Sequence, residues 1–474
     1  MSGVCDASPA SLLSTSRDRL ADPLTTPKSK GEQDVKNRNF EGSRWLAPWE
    51  QDEVIASLLA SSAGLIRWDN SRSLSLKSGG KTDIYLNLRE ARSDPEMLIL
   101  LAELYANPLR RLGVDRFAEV PDSVSCFAGP LSVLTRLPLV TLREEAKLGR
   151  VAKANVIGKM ERGEELVIID DVVTDGASKI APVRACLAAG VNLGPLVVLV
   201  DREQGWRSRL NQEGLAGLQV WSGMTLHDVR RYLIEHGIME RCDKDVEAKN
   251  PLIVALDGKS WDDILPTVDR LRTTGCVLKV NDLLVWEGGR RLVRDLQVYG
   301  RVMVDIKGHD IPNTIANILA RFSVNPPWAV TVHASGGEEM IASAVAAFKG
   351  TPTMVLAVTV LTSIDPKTCE EIYTRLPLDQ VKVLAAIAAK AGAHGLVCSP
   401  EEAAELRRLY PNMKLVTPGI RSAGKDQGDQ KRIGTPSGAI EAGASHLVMG
   451  RQILGADDPV LEVNRLLKEE LALV

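Results

Sequence analysis

The sequence predicts an α/β protein in two parts: a helix-covered parallel sheet over residues 46–240, then a TIM-type (β/α)8 barrel over residues 250–474. Three observations carry this. After Pro251, eight short apolar segments alternate with helical stretches within about 225 residues, a little under the usual barrel length. Before it, apolar strands and helical patterns also alternate, as the crossovers of a parallel sheet require. The second half also lacks the glycine-rich first turn of an open doubly wound sheet, which rarely needs eight such units.

Residues 1–45 are rich in Ser, Asp, Lys and Pro without hydrophobic periodicity and read as a disordered tail. Asp6, Asp18 and Asp22 argue against a transit peptide. In the first part the strand candidates are DIYLNL (83–88), LPLVTL (137–142), ELVIID (165–170) and PLVVLVD (195–201). Between them DPEMLILLAELYANPLRRLG (94–113) repeats apolar positions every three or four residues, the helical period. ERCDKDVEAKN (240–250) reads as a charged hinge. The barrel strands follow as LIVALD (252–257), CVLKV (276–280), VMVDIK (302–307), WAVTVHA (328–334), MVLAVTVL (354–361), GLVCS (395–399), KLVTPGI (414–420) and HLVMGR (446–451).

Composition narrows the class of function. Apolar residues make up 45% and charged residues 25%, the balance of a soluble globular protein. A net charge of −3 gives no electrostatic case for nucleic acid. No apolar run reaches the roughly 18–20 residues that span a bilayer. The seven cysteines show no paired spacing, so free thiols in a reducing cytoplasm are the economical expectation.

Barrel active sites form at the C-terminal strand ends. Those ends carry Asp257, Lys279, Asp305 with Lys307, Ser335, Thr362 and Gly450–Arg451. Asp305 and Lys307 stand two residues apart, so on an extended strand both point into the barrel mouth, where Lys279 reaches the same space. A single strand-end charge usually faces solvent; three aspartates and two lysines near adjacent strand ends make a functional cluster the better reading. A lysine flanked by carboxylates is a proton donor, and a carboxylate held there can press on substrate negative charge. TPGIR (417–421), GDQKR (428–432) and MGR (449–451) add glycines, a glutamine and arginines where barrels commonly bind phosphate. His309 and His333 lack metal-ligand spacing, and Cys398 reads as a small buried apolar residue.

In the first part, VIIDDVVTDGAS (167–178) is a buried strand, an acidic pair and a small-residue loop before a helix starting near Ser178. Successive backbone N–H groups in such a loop form an anion nest. Asp170 and Asp171 suit ribose hydroxyls or a magnesium ion. The competing reading is an ordinary strand-to-helix turn, with Asp at the turn and Gly for positive φ.

These motifs carry two resemblances. ALD (255–257), LKV (278–280), DIKGHDIPNT (305–314), VHASGG (332–337), TVLTS (359–363), TPGIR, GDQKR and VMGR make the second half resemble orotidine 5′-phosphate decarboxylase, from Pro251 to near the C-terminus. The Ile-Pro-Asn-Thr continuation, Lys279, LTS and TPGIR separate it from sugar-phosphate decarboxylases that share D-x-K-x-x-D. The resemblance implies a catalytic network of Lys279, Asp305, Lys307 and Asp310, with Lys307 delivering a proton to C6 of the pyrimidine. It also implies that Asp310 and Thr314 reach into a neighbouring subunit, hence a homodimer or higher homo-oligomer. Asp257 would bind ribose hydroxyls, Thr362 the pyrimidine edge, and Gln430 with Arg451 the phosphate. No cofactor is implied for the decarboxylase.

SLKSGGKTDIYLNLR (75–89), REEAK (143–147), VIIDDVVTDGAS and VLVDREQG (198–205) make the first half resemble orotate phosphoribosyltransferase, a type I phosphoribosyltransferase fold. That implies pyrophosphate contacts from Lys77, Arg143 and Lys147. Asp170, Asp171, Thr174, Asp175, Gly176, Ala177 and Ser178 would hold ribose 5-phosphate with magnesium, and Arg202 would lie by the orotate. Two stretches depart from the family. REEAK puts Glu144 where a lysine is usual, and EVPDS (119–123) puts Glu119 and Asp122 at a Gly-x-Pro-Tyr turn. A poorly screened carboxylate there would repel phosphoribosyl pyrophosphate by a few kcal/mol. The whole is similar to uridine monophosphate synthases, with transfer followed by decarboxylation. The alternatives are a decarboxylase carrying a degenerate, inactive first domain, and a nucleotide-binding regulator, against which the intact lysine–aspartate set argues.

Overall fold

The computed structural model describes residues 44–70, 74–75, 81–143, 156–241, 244–286, 288–424 and 432–473. Lys77, Glu144, Lys147 and Gln430 lie outside the described residues.

The first half is built on a six-stranded sheet: β1 (Arg116–Glu119), β2 (Leu139–Leu142), β3 (Val156–Ile157), β4 (Glu165–Val173), β5 (Asn192–Asp201) and β6 (Val220–Thr225). Its order is β6-β5-β4-β1-β2-β3, parallel except for the antiparallel edge pair β2–β3. Val167, Ile168 and Ile169 on central β4 are all buried, the two-sided burial of a strand covered by helices on both faces. The segment expected as a strand at 83–88 is shorter, Ile84–Leu86, and pairs antiparallel with Ile66–Trp68 outside this sheet. The helix expected at 94–113 runs Pro95–Leu112, starting on the Asp94 side-chain cap and ending at Gly113, φ +63°. Arg44 and Trp45 already belong to the fold: Trp45 is buried and its indole N–H donates to the Val198 carbonyl.

The second half closes into an eight-stranded parallel barrel of β7 (Leu252–Ala255), β8 (Val277–Val280), β9 (Arg301–Gly308), β10 (Ala329–His333), β11 (Met354–Val358), β12 (Gly395–Val397), β13 (Lys414–Thr417) and β14 (His446–Met449). Seven lie within expected segments, and β9 overruns its segment, 302–307, by one residue at each end. Ile253, Val277, Met303, Ala329, Leu356 and Val416 pack together as one apolar layer inside the barrel. Their strand neighbours Leu252, Val254, Leu278, Val302 and Val330 face the surrounding helices in the other cluster. Because side chains alternate, the inward positions two residues beyond that layer are Ala255, Lys279, Asp305 and Thr331. The floor is therefore apolar, and the charges begin one layer above it.

The charged hinge is packed rather than loose. Residues Lys244–Lys249 form a short helix, and the Glu247 carboxylate pairs with Arg241 and with Arg301 at the start of β9. The two halves also share a buried ionic cluster. Asp83, fully buried, takes Arg230 of the first half on Oδ1 at 2.8 Å and Arg272 of the barrel half on Oδ2 at 2.6 Å. Arg230 also reaches Asp269 at 2.9 Å and lies over the Tyr299 ring, whose hydroxyl meets His227 Nδ1 at 2.9 Å. No described helix is long and apolar enough to cross a membrane.

Candidate functional site

The barrel mouth gathers four charged side chains into an alternating row. Lys279 Nζ is held by both Asp257 oxygens at 2.9 and 2.8 Å and stands 3.2 Å from Asp305 Oδ2. Lys307 Nζ meets the same Asp305 oxygen at 2.8 Å. Burial pulls the Lys279 ammonium down, but the Asp305 and Asp257 carboxylates more than offset it, and its pKa is raised. The row is graded in exposure: the Lys279 and Asp305 side chains are 6% and 9% exposed, those of Lys307 and Asp257 31% and 46%. Two members are thus buried and held, and two present themselves to whatever enters.

Asp305 and Lys307 meet, but not by simple alternation. The β9–β10 register shifts between Val304 and Gly308, and Lys307 adopts φ +48°, a left-handed conformation unusual for a side-chain-bearing residue. Thr331, fully buried on β10, spans the irregularity. Its hydroxyl accepts from the Lys307 backbone N–H at 2.9 Å and donates to Asp305 Oδ1 at 2.8 Å. Sequence reading missed Thr331, although stepping two residues beyond the inner-layer Ala329 would have found it.

Asp310, expected in the catalytic set, stands outside this row. It is exposed beyond the strand end, and its Oδ1 accepts from the Ile311 N–H at 2.7 Å. Thr314 is half-buried on the helix Pro312–Ala320 that follows. His309 and His333 bring their rings to 5.6 Å, and burial, then His309 and Lys307, hold the His333 imidazole below its usual range.

After β11 Thr362 is buried, and after β14, the strand paired with β7, Arg451 is exposed at the start of the short helix Arg451–Leu454. Gly450 is there because a Cβ would press on Ala255 at 3.3 Å. The arginine of GDQKR is turned inward. Arg432 is buried on Glu402 and donates to the Val360 and Leu361 carbonyls at 3.0 and 2.9 Å, tying the TVLTS segment down. Cys398 is fully enclosed, and burial pushes its thiol up to about 12.

In the first half the loop after β4 enters the helix Ala177–Ala189 through Gly176, φ +78°, where a Cβ would sit 3.2 Å from Trp206. Thr174 and Asp175 are half-buried, and Ala177 and Ser178 are exposed at the helix start. Asp175 accepts from the Ala177 N–H and faces Arg209 at 3.5 Å. Asp170 and Asp171, expected as a possible magnesium pair, are both buried. The buried Asp170 carboxylate is engaged by Lys179, a partner absent from the sequence reading, and lies within interaction range of the Asp171 carboxylate. Burial raises the Asp170 carboxyl to about 7 against the pull of Lys179. Asp171 accepts from the Val172 N–H. Among the described residues no group of three or more His, Cys, Asp or Glu side chains is placed to hold a metal.

Arg202 is buried and donates to Thr82 Oγ1 at 3.0 Å, beside the Asp83 cluster. Arg143 is half-buried just after β2. Of the departing carboxylates, Asp122 is exposed, whereas Glu119 is buried and accepts from the Thr141 hydroxyl at 2.6 Å. Among the described residues Cys126, Cys186, Cys276, Cys369 and Cys398 form no disulfide.

Residues 250–466 match the orotidine 5′-phosphate decarboxylase / HUMPS family. Orotidine 5′-phosphate decarboxylase from Marinomonas sp. (strain MWYL1) is 42% identical over 221 residues, covering 45% of this chain and 94% of that protein. The crystal structure of the decarboxylase from Lactobacillus acidophilus is 35% identical, covering 46% of this chain and 98% of its own, with a TM-score of 0.41. The UMP synthase of Leishmania donovani is 30% identical, covering 40% of this chain and 39% of its own, with a TM-score of 0.34. With 94% of the Marinomonas decarboxylase matched at 42% identity, the chain belongs to the orotidine 5′-phosphate decarboxylase family.

Proposed function

We propose that the barrel converts orotidine 5′-phosphate to uridine 5′-monophosphate, a carboxy-lyase step of pyrimidine biosynthesis. The row Asp257–Lys279–Asp305–Lys307 carries this reading. The bond from C6 to the carboxylate carbon breaks and its electron pair stays on C6. Carbon dioxide leaves, and C6 takes a proton from Lys307 Nζ, which water later reprotonates. Lys279, locked between two carboxylates, keeps Asp305 beside the departing group, where fixed charge acts without reorganisation. Arg451, with Gln430, grips the phosphate, so binding energy made far from the ring is used at the ring. Asp257 faces the ribose and Thr362 the pyrimidine edge.

The active form is a homodimer. Asp310 and Ile311 are exposed at the mouth, and Ile318 continues an apolar face along the same helix. Asp310 and Thr314 complete the partner's site. The enzyme works in the cytoplasm, in keeping with its free thiols.

The first half, residues 46–240, is read as an orotate phosphoribosyltransferase making that substrate. The loop Thr174–Gly176 and the helix behind it favour phosphate binding. A second reading, a non-transferring scaffold, is favoured by the Asp170–Lys179 pair, which neutralises a carboxylate that ribose hydroxyls would use. Purified full-length protein given orotidylate, and separately orotate with phosphoribosyl pyrophosphate and magnesium chloride, decides between them by uridylate formation. Product from both mixtures supports the bifunctional enzyme. Product only from orotidylate leaves the scaffold, and no product from either overturns the enzyme reading.

A further inference from the structure

We infer that Thr331 is a positioning residue for decarboxylation, holding Asp305 and the backbone of Lys307 in working register. The inference rests on the reading of the barrel mouth given above. A backbone N–H can only donate, so the Thr331 oxygen must accept from Lys307. Its one hydroxyl proton is then free for Asp305 Oδ1, 2.8 Å away. The direction of both bonds is fixed by this inventory, and the group is fully buried, so water does not compete.

The same hydroxyl sits where the chain is least regular. The ladder between β9 and β10 is interrupted from Val304 to Gly308, and Lys307 holds φ +48°. The amide that the interrupted ladder leaves over is satisfied by a side chain, which also fixes the carboxylate beneath the Lys307 ammonium. Asp305 Oδ2 is taken by Lys279 and Lys307, and Oδ1 by Thr331, so both oxygens are held and the plane of the carboxylate is set. Thr331 touches the reacting groups only through these two residues.

The test compares Thr331→Val, which keeps the shape and removes both hydrogen bonds, with Thr331→Ser, which keeps the hydroxyl, in the full-length protein with orotidylate. The expected result is a fall in kcat of roughly ten- to a hundredfold in the valine variant, KM within about threefold of wild type, and recovery to within a few-fold by serine. Wild-type kcat in the valine variant overturns the inference. So does a serine variant as impaired as the valine one, or a loss that appears in KM alone. If the valine variant does not fold, as judged by its melting curve, Thr331→Ala replaces it, and equal kcat in the alanine and serine variants overturns the inference. An inactive wild-type protein would instead sink the decarboxylase reading, and this inference with it.

Discussion

The barrel mouth and the junction between the halves are built from the same material, carboxylates alternating with basic side chains, and they do opposite work. At the mouth Lys307 and Asp257 remain partly exposed, so a ligand can displace or extend the row. At the junction Asp83, Arg230 and Arg272 have side chains no more than 1% exposed, and each charge is spent on its neighbour. Alternating charge does not by itself mark a site; access does. Breaking a sealed cluster strands a buried charge, whereas breaking an open one chiefly changes chemistry.

The largest effect expected is at the open cluster. Lys307→Ala should lower kcat for orotidylate by roughly three orders of magnitude or more, while uridylate binding by calorimetry and the melting temperature stay close to wild type. Turnover near the wild-type rate would refute the proton-donor assignment. At the sealed cluster the pattern should invert. Asp83→Ala leaves two guanidiniums buried without their shared carboxylate and should cost about 3–5 kcal/mol in denaturant unfolding. The fraction still folded should keep its kcat for orotidylate; a cost below about 1 kcal/mol would mean that water replaces the carboxylate.

A smaller effect separates burial from pairing. His446 at the start of β14 lies against Trp328, and burial, then Arg301 and Lys414, lowers its pKa to about 4. The unfolded chain, titrating near the ordinary value of about 6.5, takes up the proton first as pH falls. Stability should therefore be lost as pH drops from about 6.5 to about 4 and be unaffected by this group above that window. The contribution has a ceiling of about 3 kcal/mol, reduced by the ring's residual solvent contact. His446→Phe should flatten that part of the stability–pH curve, and an unchanged slope would assign it elsewhere. The smallest effect is at the end of the mouth proposed to bind phosphate. Gln452 accepts from the Ser422 N–H at 3.0 Å and donates to Glu462 Oε1 at 2.8 Å, linking the loops after β13 and β14. Gln452→Leu should raise KM for orotidylate a few-fold, worth about 1 kcal/mol, and leave kcat alone. A change in kcat instead would move this residue's role to the chemistry.

What could be read from sequence follows the same division. The barrel strands were legible because each is a short apolar run bounded by turns, and Asp305 with Lys307 because both lie on one strand. Strand Val220–Thr225 was missed because Ser222 and Gly223 interrupt its apolar pattern, a glycine required by the approach of Trp45 to 3.0 Å. Thr331 and Lys179 escaped because their partners come from other elements. The junction cluster was invisible for the same reason, with Asp83 and Arg272 separated by 189 positions. Asp310 was placed by motif; it follows the irregularity that ends at Gly308 and is exposed, apart from the charged row.

The junction also bears on how such a chain can change over generations. Asp83 neutralises one arginine from its own half and one from the other, and Arg230 in turn reaches Asp269 across the boundary. Removing either half would strip the cluster of partners it now has, so the residues on the two sides of the junction depend on one another. As parts of one chain, the two halves are made in equal number and inherited as one unit.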